Sequence, residues 1–68
     1  MTINIKTGGA AFHADGDPKA NKYMDNIIMA SELRKIFAKI CTDIEQEGKH
    51  EGIIMDTNGN NVGSWNID

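Results

Sequence analysis

The chain is poor in the groups that usually staple a small protein. It has one cysteine, Cys41, so no disulfide can form within it. The two histidines, His13 and His50, have no ligand-like spacing to that cysteine, which argues against a structural zinc site. No stretch nears the roughly 18 apolar residues of a membrane span. The start, Met1-Thr2-Ile3-Asn4-Ile5-Lys6, lacks the basic region and apolar core of a signal peptide. Positive charge is also scarce, with seven Lys and Arg against ten Asp and Glu. Only Arg34, Lys35 and Lys39 cluster. That argues against nucleic acid as the main partner, because such affinity rests on concentrated positive charge. With a free cysteine and no leader, the expected location is the cytosol of a bacterial host.

A length of 68 residues bounds the chain to one domain, residues 1–68. A core of that size supplies only about 3–5 kcal/mol of net stability. With disulfides gone and metal disfavoured, self-association is the most economical further source.

Three patterned stretches are present. Residues 2–7, Thr-Ile-Asn-Ile-Lys-Thr, alternate strictly, which predicts a strand with Ile3 and Ile5 inward, ended by Gly8-Gly9. Ala10, Ala11 and Phe12 are apolar and would pin the chain to the core. Further on, Ala30, Leu33, Phe37, Ile40 and Ile44 recur at spacings of three and four, with Ile36 and Cys41 widening the stripe. This is the buried face of an amphipathic helix that starts between Pro18 and Ile28 and ends at Gly48. Last, the runs 52–56 and 62–67 flank Asn58-Gly59-Asn60, a strong hairpin signal. Val62 is out of phase with Trp65 and Ile67, a mismatch that a bulge at Gly63 would absorb. The expected fold class is α+β, ordered β-α-β-β: a three-stranded antiparallel or mixed sheet packed on one helix.

Few constellations carry chemistry. Asp56-Thr57-Asn58-Gly59-Asn60 has a calcium-loop look, yet Asn61 and Ile67 stand where an EF-hand needs Gly and Glu. His13 and His50 lack motif partners and read as solvated surface residues. Cys41, on the apolar stripe, reads as a small buried hydrophobe. Gly8-Gly9-Ala10-Ala11 has neither spacing nor ending of a phosphate loop. Trp65 reads as core or half-buried. The expectation is therefore a protein that is not an enzyme, with no catalytic residues, metal or cofactor. The dense Ile27-Ile28-Met29-Ala30 run is different, because one helix face cannot bury four neighbours. It is the best candidate contact surface.

The two ends, Ile3-x-Ile5-Lys6-Thr7-x-x-Ala10-Ala11-Phe12 and Asp56-x-Asn58-Gly59-Asn60-x-Val62-Gly63-x-Trp65-x-Ile67, frame a helix with Leu33, Ile36, Ile40 and Ile44. This pattern resembles small proteins of unknown function from bacteriophages and prophages. Residues 14–28 depart from it as an atypical loop or short helical insert. The resemblance implies a small accessory protein that binds a host protein. An anti-CRISPR-like inhibitor of a host defence protein is the leading expectation, and a structural or regulatory homo-oligomer is the alternative. The acidic balance would suit a basic, nucleic-acid-binding target surface. The expected contact residues are Asp15, Asp17, Asp25, Ile27, Ile28, Met29, Asp43, Glu45 and Glu47. A homodimer through an open sheet edge is the further partner expectation.

Overall fold

The computed structural model describes residues 1–14 and 22–68. Strand β1 spans Thr2–Ile5, a 3-10 turn spans Ala10–Phe12, helix α1 spans Lys22–Glu47, and strands β2 and β3 span Glu51–Met55 and Asn61–Asn66. The order is β-α-β-β. All pairings are antiparallel, and the sheet order is β1-β3-β2, so the last strand lies in the middle.

The hairpin forms where its turn chemistry allows. Asp56 N–H donates to Asn60 O at 2.9 Å, and Gly59 N–H to Asp56 O at 3.0 Å. The chain thus reverses over Thr57 and Asn58, and Gly59 follows at φ +82°. A type I turn followed by a left-handed residue is the common three-residue hairpin loop, and glycine enters that region without steric cost. The Asp56 carboxylate accepts Asn60 N–H at 2.8 Å and holds the loop from inside. Beyond it, Ile54 pairs with Gly63 and Met55 with Asn61, so Val62 is the extra residue of a bulge. The bulge turns Val62 inward, and it is 7% exposed. Gly63 is required there for space, since a Cβ would sit 1.8 Å from the Asn4 carbonyl oxygen.

The core is Phe12, Ile36, Ile40, Ile54, Val62 and Trp65, with Ile5, Ala11, Met29, Leu33, Ile44 and Ile67 packed around it. Trp65 is core. Ile3 and Ile5 share its face of the sheet, opposite Trp65 and Gly63, but Ile3 at the strand start remains 38% exposed. The helix ends as its sequence suggests. Gly48 N–H donates to Ile44 O and Lys49 N–H to Asp43 O, both at 3.1 Å, which satisfies two terminal carbonyls.

Two expectations about the helix are corrected. Most of the apolar stripe faces the core, with Ile36 and Ile40 buried and Leu33 and Ile44 packed against them, and Glu32 and Asp43 join that buried line. Phe37 lies about 100° round the helix from Ile36; it is 43% exposed, and Cys41 is exposed too. The reason is that two carboxylates on the buried line find partners and so can turn inward. Glu32 accepts a hydrogen bond from the Thr57 hydroxyl, and Asp43 pairs with Lys39. Among the described residues, no helix is long and apolar enough to cross a membrane.

Candidate protein-interaction surface

Helix α1 has 26 residues, about 39 Å at 1.5 Å per residue. The strands have four to six residues, about 13–20 Å. The helix therefore overhangs the sheet. Its start is held by the 3-10 turn, through buried Phe12 and through His13. The first turns present Tyr23, Met24 and Ile27 outward, at 75%, 44% and 46% exposure. Tyr23, Ile27, Ala30, Arg34, Phe37 and Cys41 follow at spacings of four and three, which is one continuous line along a helix. Tyr23, Ile27 and Phe37 are the large apolar side chains exposed along this outer ridge.

The sequence-derived contact residues fall into separate groups. Asp15 and Asp17 lie outside the described residues. Ile27 is exposed on the ridge, Ile28 is half-buried, and Met29 packs against the core. The second half of the atypical 14–28 segment is thus helix. Asp25 is engaged within the fold: its carboxylate accepts His13 Nδ1–H at 2.9 Å and Ala14 N–H at 3.0 Å. Asp43 is buried against Lys39, and Glu45 and Glu47 are exposed near the helix end. Glu47 meets Lys49 at 3.1 Å. That contact and the nearby Asp43 raise the Lys49 amine above its ordinary value.

His13 is not the solvated residue its sequence context suggests; its side chain is 9% exposed. Nδ1 faces the Asp25 carboxylate, and Nε2 lies 2.6 Å from the Thr7 carbonyl oxygen. Both neighbours offer oxygen atoms to the ring. The histidine clamps the segment after β1 to the start of α1. No sequence signal marks the Asp25 partner, twelve residues away.

A cavity of about 390 Å³ opens between α1 and β2. Ile36, Ile40, Ile54 and Trp65 form its apolar wall, and Lys39, Asp43 and Lys49 stand among its lining residues. Beside it, Ile53 and Met55 project from the free side of β2 at 64% and 46% exposure. Among the described residues, no three His, Cys, Asp or Glu side chains gather where they could hold a metal ion. No protein-family model, curated protein or solved structure matches the chain.

Proposed function

We propose that the chain is a small non-enzymatic binding protein that acts by occupying a partner's surface. The resemblance of its two ends to phage and prophage accessory proteins makes a bacterial host protein the leading partner, a defence protein foremost. The observation that carries this reading is the outer ridge of α1, where Tyr23, Ile27 and Phe37 stand exposed on a helix longer than its sheet. Aromatic and large aliphatic anchors supply most of the energy of protein contacts. The acidic residues take a supporting place, since Asp25 and Asp43 already serve the fold, while Glu45 and Glu47 can steer a basic surface toward the helix end.

The test is capture and direct binding with the purified host partner, comparing the native chain with the double variant Ile27→Glu, Phe37→Glu. Binding should weaken at least a hundredfold while Trp65 fluorescence and helical content stay native. Unchanged affinity and unchanged protection of phage would sink the reading. The second reading, a homo-oligomer, is favoured by a separate feature, the open β2 edge.

A further inference from the structure

The sheet has two open edges, and they are not alike. At β1 the side chains on the face away from the helix are Thr2 and Asn4, both polar. At β2 they are Glu51, Ile53 and Met55, and the last two are exposed. Natural edge strands are usually blunted by lysine, proline or a bulge that turns the edge away. Glu-Gly-Ile-Ile-Met has no lysine or proline, and the bulge lies on the β3 side of the hairpin.

The backbone is poised in the same direction. Ile67 N–H donates to His50 O at 2.7 Å, so His50 and, by alternation, Gly52 and Ile54 bond to β3. Glu51, Ile53 and Met55 then present their N–H and C=O groups outward. Among the described residues, nothing pairs with them.

We propose that this edge is an interface between two copies of the chain, pairing β2 with β2 antiparallel about a two-fold axis at Ile53. The inference rests on the reading that the protein works through protein contact rather than catalysis. Only this register pairs the full strand. It sets Ile53 against Ile53 of the second copy, Glu51 against its Met55, and Gly52 against its Ile54. A shift of two residues toward the strand start would set Glu51 against Glu51, a like-charge pair that destabilises a sheet. In the proposed register Lys49 faces Thr57, so no like charges stand opposite. The cavity wall at Trp65 lies over Gly52, where Ile54 of the second copy arrives. A five-residue edge buries less than the roughly 800 Å² per partner of a standard stable interface, so the association is of the weak, reversible class.

Sedimentation velocity from low micromolar to millimolar protein tests this. The native chain should pass from monomer to dimer. Ile53→Lys, at an exposed position whose side chain leaves the core untouched, should stay monomeric, with its Trp65 fluorescence unchanged. Asn4→Lys, on the other edge, should dimerise as the native chain does. In a Cys41→Ser background, Ile53→Cys should cross-link on oxidation and Asn4→Cys should not, because directly paired Cα atoms about 5.5 Å apart are within disulfide reach. A native chain that is monomeric throughout overturns the proposal, as does a dimer that survives Ile53→Lys. Neither result touches the host-partner reading, whose variants lie on the helix ridge.

Discussion

Gly63 shows how one missing side chain can hold a sheet together. The β1 backbone crosses so close that a methyl group there would meet the Asn4 carbonyl at 1.8 Å. Gly63→Ala must push β1 away or break the ladder. It should cost about 1–3 kcal/mol, the range for overpacking, seen as a lower denaturant midpoint by Trp65 fluorescence. That is a large share of a net stability of about 3–5 kcal/mol. His13 makes the second prediction at this scale. Its ring bridges the Asp25 carboxylate and the Thr7 carbonyl oxygen. His13→Ala removes that bridge and should cost about 1–3 kcal/mol, the range for partly buried polar groups left without a partner. Thermal melts by circular dichroism measure it, and an unchanged midpoint would refute the clamp.

At the scale of elements, the apolar stripe of the helix is wider than the face that the sheet covers, so the sheet selects within it. The line with Ile36 and Ile40 goes inside because Glu32 and Asp43 on it are satisfied by Thr57 and Lys39. The line with Phe37 and Cys41 goes outside. Ile36→Ala should then cost about 2–5 kcal/mol and leave the chain largely unfolded, whereas Phe37→Ala should cost about 1 kcal/mol or less. Circular dichroism melts of the two variants decide it, and the reverse order would overturn this assignment of inner and outer positions. The hairpin was far more legible. Asn58-Gly59 marked the loop and Val62 marked the bulge, because turn chemistry and pleat are local. The Glu32–Thr57 bond spans twenty-five residues and leaves no periodic trace.

For the whole molecule the question is what completes so small a core. Only six apolar residues are buried among those described, and one of them, Phe12, lies in a 3-10 turn outside the sheet and helix. Association that favours the folded chain raises its stability by mass action. The thermal midpoint should rise with protein concentration in the native chain and stay fixed in Ile53→Lys. A midpoint independent of concentration in both would mean that the core stands alone. The two proposed contact surfaces lie on different elements, the ridge on α1 and the edge on β2, so mutations can test self-pairing and partner binding separately.

The order β-α-β-β, the helix end at Gly48, the hairpin loop and the inward pull of Phe12 and Trp65 are written in the chain itself. Each depends on alternation, on glycine's backbone freedom or on apolar residues close in sequence. Tertiary structure alone decided that β3 lies between β1 and β2, which helix line faces the sheet, and that His13 meets Asp25. Those outcomes depend on which distant groups can satisfy a buried donor or carboxylate. A carboxylate such as Glu32 looks like surface until Thr57 arrives from the far hairpin to make its burial affordable.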